Sequence, residues 1–176
     1  YKLNKEKYLE QLQRYLNHTK IDVVFKQNKD DFVVTEIPLY EFSGEGEHLV
    51  LKIRKKDLAT WDAIEILAKY LNCSTREFGY AGLKDKNAMT VQSISVHRKY
   101  EEQLKSFQNE NLKILETTYH NNKIKVGHLK GNKFFIRLKR VGSIEKRKIE
   151  EALGSIVTHG IPNHFGFQRF GIEGDN

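Results

Sequence analysis

Phe78-Gly79-Tyr80-Ala81-Gly82-Leu83-Lys84-Asp85-Lys86-Asn87-Ala88-Met89-Thr90-Val91-Gln92 is the stretch from which the rest of the chain can be read. Apolar, β-prone residues stand at both ends of it, and a polar, glycine-containing segment lies between. This pattern predicts a strand at about 78–83, a loop carrying Asp85, and a second strand at about 90–97. The glycines allow the backbone to turn, or a ligand to approach closely. Asp85 has a lysine on each side, and each positive charge lowers the cost of holding the carboxylate ionised. Such a carboxylate is either an ion-pair partner or a nucleophile.

Working outward, residues 5–16 predict an amphipathic helix, with Tyr8, Leu9, Leu12, Tyr15 and Leu16 on one face. Alternation predicts strands at Ile21–Lys26, Asp31–Ile37 and His48–Arg54, the last two joined through Ser43, Gly44 and Gly46. Thr60 is placed to cap a helix running to about Asn72, with Ile64, Leu67, Tyr70 and Leu71 on its buried face. Ser74 and Glu77 have capping-box spacing ahead of a short helix. Beyond His97 the pattern predicts a short helix at 100–107 and strands at 112–119, 123–129 and 133–141. A helix at 145–158 would bury Ile149, Leu153, Ile156 and Val157, with Gly160 and Pro162 ending it. Strands interrupted by helices without strict alternation indicate an α+β fold with a mixed, largely antiparallel sheet flanked by helices.

The chain has 176 residues, 39% hydrophobic and 30% charged, which is a globular composition large enough for a core. No apolar run is long enough to span a bilayer, and the N-terminal stretch is charged rather than signal-like. The only methionine is Met89, so residues are expected to precede Tyr1 or to have been removed. The single cysteine, Cys73, excludes an internal disulfide and a cysteine-built zinc site and fits a cytoplasmic location. The seven histidines lack metal-ligand spacing, so no metal is expected. The net charge of +7 is unevenly placed. Between Lys123 and Lys148 ten basic residues meet one acid, Glu145, a local excess of +9 that leaves −2 for the remainder. A patch of this kind suits a polyanion such as RNA.

The run Tyr80 to Gln92 resembles the signature of the TruD family of tRNA pseudouridine synthases. Three further segments match in the same order. They are Asp31–Ile37 with Ser43–His48, then Gly131-Asn132-Lys133-Phe134, then Pro162–Gly171. The resemblance implies the pseudouridine synthase catalytic fold, tRNA as partner, position 13 of the D arm as target, and no cofactor. It also implies that residues 1–176 are the N-terminal part of the catalytic domain. An inserted domain and the C-terminal part of the catalytic domain would then lie outside this chain. A monomer is the expected state.

Residue by residue, the resemblance makes Asp85 the nucleophile and Lys26 its cationic partner. It puts Phe32 and Phe134 at the uridine. The side-chain amide makes Asn132 a candidate for a hydrogen bond to the uracil carbonyl or ring N–H. Alternation gives a different reading of one position. It sets Phe134 with Ile136 and Leu138 on an apolar face, and Phe135 with Lys133, Arg137 and Lys139, so Phe135 remains a rival stacking residue. Lys84, Lys133, Arg137, Lys139 and Arg169 are expected to meet RNA. Gln92 and Gln168 are further candidates for hydrogen bonds to uracil. The competing reading is a non-catalytic RNA-binding protein that uses the basic strand at 123–148 and in which Asp85 braces a loop.

Overall fold

The computed structural model describes residues 16, 19–84, 86 and 88–162. The expected helix at 5–16 lies outside these residues, apart from Leu16, as do Asp85, Gln168, Arg169 and most of the matched C-terminal segment. The chain forms two compact units, one of residues 25–138 and one of residues 1–24 with 139–176.

The larger unit is built on a mixed sheet. Its strands are β2 (Phe32–Pro38), β3 (His48–Lys56), β4 (Gly79–Tyr80), β5 (Met89–His97), β6 (Leu112–His120) and β7 (Leu129–Ile136). Two short strands, β1 (Val24–Phe25) and β8 (Leu138–Lys139), pair with each other. The main order is β6-β3-β5-β2-β7, with β4 also on β5. Within the main sheet β2 and β5 run parallel, and β2–β7, β3–β5, β3–β6 and β4–β5 are antiparallel. The helices are α1 (Thr60–Leu71), α2 (Glu101–Leu104) and, in the smaller unit, α3 (Ser143–His159).

Period-two alternation sends Leu49, Leu51 and Ile53 of β3, with Ile94 and Val96 of β5, to one sheet face. There they meet Ala63, Ile64, Leu67, Ala68 and Leu71 of α1, and this is the main core. A smaller cluster of Val50, Ala81 and Ile124 packs with Phe42 and Leu129. Gly79 belongs here because a Cβ would strike the Ile124 carbonyl oxygen and the Ser95 Oγ. Its smallness serves a close approach of protein to protein rather than of ligand.

Several expectations are corrected. Ala59, not Thr60, is the N-cap of α1, and its N–H donates to the Asp62 carboxylate at 2.8 Å. Tyr70 is exposed and donates its hydroxyl to the Gln103 carbonyl. The strand expected at 123–129 is a turn, because Gly127 takes φ +92 and donates its N–H to Ala81. Pairing resumes only at Leu129, so β7 starts ahead of the predicted strand at 133–141 and ends before it does, at Ile136. Helix α3 forms as expected, but none of its residues is buried, and Val157 is 86% exposed. Its apolar stripe has no covering layer among the described residues.

Candidate functional site

The sheet forks beside the loop that carries Asp85. On one edge of β5, Met89–Val91 pair with β2, and Ile94–Ser95 pair with β4. Between them the Ser93 N–H needs an acceptor from elsewhere. The Glu36 carboxylate fills the fork, accepting from Ser93 N at 3.4 Å through Oε1 and from Lys84 Nζ at 2.9 Å through Oε2. This ion pair is dry, with side-chain exposures of 1% for Glu36 and 7% for Lys84. Lys84 was expected to meet RNA phosphate; burial and its bond to Glu36 assign it to the fork instead.

Other buried polar groups complete the surroundings. Thr60 Oγ1 accepts from Lys84 N at 2.8 Å and donates to Gln92 Oε1 at 3.0 Å. Gln92 Nε2 donates to the Gly82 carbonyl at 3.4 Å. The Gln92 amide is therefore committed to protein partners and is not offered to a base. Lys55 Nζ donates to the carbonyls of Leu58 at 2.6 Å and Lys84 at 3.2 Å. Glu36, Lys55 and Thr60 are functional candidates that the sequence reading missed. The available signal was polar residues at core positions: Lys55 shares parity with Leu49, Leu51 and Ile53, and Glu36 with Val34.

Along the same sheet face lies an aromatic row. Register pairs Phe32 with Ile136, Val34 with Phe134 and Glu36 with Asn132. Phe32, Phe134 and Asn132 therefore share the Glu36 face. The Phe32 and Phe134 ring centroids are 6.0 Å apart, and Phe25 meets Phe32 edge-on at 5.8 Å. Lys26 adopts the left-handed conformation, φ 54, uncommon for a residue with a side chain. Its Nζ lies 3.9 Å from the Phe32 centroid, a cation–π contact. Phe134 is more than half exposed, so the row is an open platform and not core.

Lys133, Phe135 and Arg137 point to the opposite face, since Phe135 pairs with Val33 and Lys133 with Thr35. The Arg137 guanidinium lies 5.6 Å from the Phe135 centroid and 3.6 Å from Asp31 Oδ1. Lys139 lies on β8 and is half-buried. The structure thus brings Lys26, Phe32, Asn132, Phe134 and Lys84 to one face and separates them from Lys133 and Arg137. Among the described residues, no group of three His, Cys, Asp or Glu is placed to hold a metal ion, and no helix is long and apolar enough to cross a membrane.

Comparison with known proteins places this geometry in a family context. Residues 9–175 match the model for tRNA pseudouridine synthase D (TruD). A protein of that name from Sulfurimonas denitrificans is 57% identical over 161 residues, covering 92% of this chain and 45% of the relative. One from Wolinella succinogenes is 54% identical over 162 residues, with the same coverage of both chains. A solved structure from Methanosarcina mazei that bears the same name superposes with a TM-score of 0.77 at 30% identity. The match covers 88% of this chain and 36% of that one. The chain spans a little under half the length of these curated relatives.

Proposed function

The chain belongs to the tRNA pseudouridine synthase D (TruD) family, and from that premise we propose that the full-length protein converts uridine to pseudouridine in tRNA, at position 13 of the D arm. We assign the N-terminal part of its catalytic domain to these residues. The observation that carries the reading is the row of Phe32, Phe134 and Lys26 on the sheet face where the fork holds Lys84.

The reaction is an isomerisation. The bond from ribose C1′ to uracil N1 breaks, and a bond from C1′ to C5 forms. The C5 proton leaves and N1 gains one, so no electrons enter or depart and no cofactor is needed. A carboxylate is required beside the ribose, and Asp85 supplies it by attack on C1′ or C6 or by removing a ribose proton. The base must leave its stack to be reached. An exposed aromatic such as Phe134 offers a flipped uracil a stacking surface. Asn132 pairs with Glu36, and we assign its amide, which both donates and accepts, to the uracil edge. Lys26 holds a positive charge at the end of the row and serves as the cationic partner of Asp85.

The test uses full-length protein and uridine-labelled tRNA. Pseudouridine formation is expected. Asp85→Asn, which keeps shape and removes charge, is expected to abolish turnover with tRNA affinity within several-fold of wild type. Retention of substantial turnover would remove Asp85 from its role. Wild-type protein that retards tRNA without modifying it would instead favour the RNA-binding reading.

A further inference from the structure

Lys84 is the residue before Asp85, and each of its polar groups has a partner from a different element. Its N–H donates to Thr60 of α1, its carbonyl accepts from Lys55 of β3, and its ammonium meets Glu36 of β2. Of these three partners, Lys55 is the one that bonds the peptide joining Lys84 to Asp85. Lys55 has no solvent exposure. Burying an ammonium is costly unless hydrogen bonds compensate it, and here two carbonyls do so. A neutral donor could satisfy the same carbonyls without burying a charge, so these hydrogen bonds alone give no reason for a cation at this position. An ammonium away from water also acts on neighbouring charge at low effective dielectric, where its influence is greatest.

We propose that Lys55 is a positioning residue for the reaction: it holds the peptide preceding Asp85 and biases the following carboxylate toward its ionised form. The inference rests on the reading of Asp85 as nucleophile. Two consequences are separable. Loss of the hydrogen bond loosens the loop, and a misplacement of about 1 Å at a reacting group can cost about 10²-fold in rate. Loss of the charge removes a stabiliser of the anion, so the carboxyl gives up its proton only at higher pH.

The experiment compares full-length wild type, Asp85→Asn, Lys55→Met and Lys55→Gln. It measures single-turnover rate against pH at saturating tRNA, tRNA affinity and melting temperature. For Lys55→Met the expected result is a fall in rate on the order of 10²-fold, affinity within several-fold of wild type, and an acidic limb moved to higher pH. Lys55→Gln keeps a donor without the charge and is expected to show the same movement of the limb with a smaller loss of rate. It decides the matter if the methionine variant does not fold. An acidic limb at the wild-type position in a folded variant overturns the proposal, as does a loss of rate that only tracks the folded fraction. Failure of both variants to fold assigns Lys55 a structural task and also overturns it. Wild-type protein that forms no pseudouridine sinks the functional reading and this inference together. Active wild type with Lys55 variants of unchanged profile sinks this inference alone.

Discussion

Two groups of lysines in this chain meet opposite conditions. Lys55 and Lys84 lie in a dry fork of the sheet, their nitrogens bound by carbonyls and a carboxylate. Lys130 and Lys133 lie on β7, at the end of the sheet order, where all of Asn132–Ile136 is exposed. In the sequence the two groups look alike, as basic residues among β-prone neighbours. Their environments differ because β3 and β5 are central strands covered by α1, and β7 pairs only with β2 among the described residues. A buried cation must be matched group by group, so it fixes geometry. An exposed one is screened by water and contributes to long-range attraction. The fork is therefore suited to holding a reactive loop, and the edge strand to meeting a polyanion.

The largest effect that would sharpen this contrast comes from breaking the buried pair. Lys84→Ala leaves the Glu36 carboxylate without its ammonium, and loss of one partner of a buried pair typically costs about 3–5 kcal/mol. Lys133→Ala on the edge strand is expected to change stability by no more than about 0.5 kcal/mol. Denaturant midpoints of the full-length variants measure both. Near-equal costs would erase the distinction between the two regions.

A second contrast lies within β7 itself. Phe134 and Phe135 are adjacent, comparably exposed and on opposite faces. Stacking of a base on an aromatic is worth about 1–3 kcal/mol. Phe134→Leu is expected to lose most single-turnover activity while melting within a few degrees of wild type. Phe135→Leu should mainly weaken general RNA affinity. A severe catalytic defect confined to Phe135 would transfer the uridine to the other face and break the assignment of the fork side as the reactive one.

The edge strand has its own signature in salt. Neutralising Lys133, Arg137 and Lys139 together should weaken tRNA binding and flatten its salt dependence, each lost phosphate contact lowering the log–log slope by about 0.7 to 0.9. Arg137 already lies 3.6 Å from Asp31, so its share is expected to be smaller than that of Lys133. An unchanged slope would show that these three residues do not meet RNA phosphate.

How far the sequence could be read follows from the same physics. Strands β3 and β5 were legible because their apolar residues repeat with period two on the face that packs on α1; β2 and β6 were legible from local alternation, although β6 bulges opposite Lys52 and Ile53. The aromatic row was reachable through motif resemblance alone, since alternation put Phe134 in a core that does not exist there. The fork was not legible. Glu36, Lys55, Thr60 and Lys84 are brought together by a parallel pairing of β2 with β5 and by the departure of β2 from β5 after Thr35. No local pattern encodes either event. The false strand at 123–129 had the opposite cause, a local alternation that Gly127 overrides.

The smallest expected effect tests whether burial, rather than the density of charge, sets the behaviour of an ionisable side chain. Register places His97 and His120 on either side of His48, across β5, β3 and β6. The His48 Nδ1 is buried and has no hydrogen-bond partner among the described residues. Burial, then the neighbouring His97 and Lys123, pull the His48 pKa below the ordinary imidazole value. Glu47 opposes this and His120 adds to it. A folded-state pKa below the unfolded one means that the unfolded chain binds the extra proton first as pH falls. The contribution of His48 is therefore fully present above the unfolded value, about 6.5, and is lost as pH drops through that value toward the folded one. Denaturant midpoints of full-length protein taken from about pH 8 to about pH 5 should decline, and His48→Gln should decline less steeply. The difference should be small, because His48 is only partly buried and water screens its neighbours. Parallel declines would mean that the lowered pKa has no thermodynamic weight, and that partial burial at this end of the sheet does not act as full burial does in the fork.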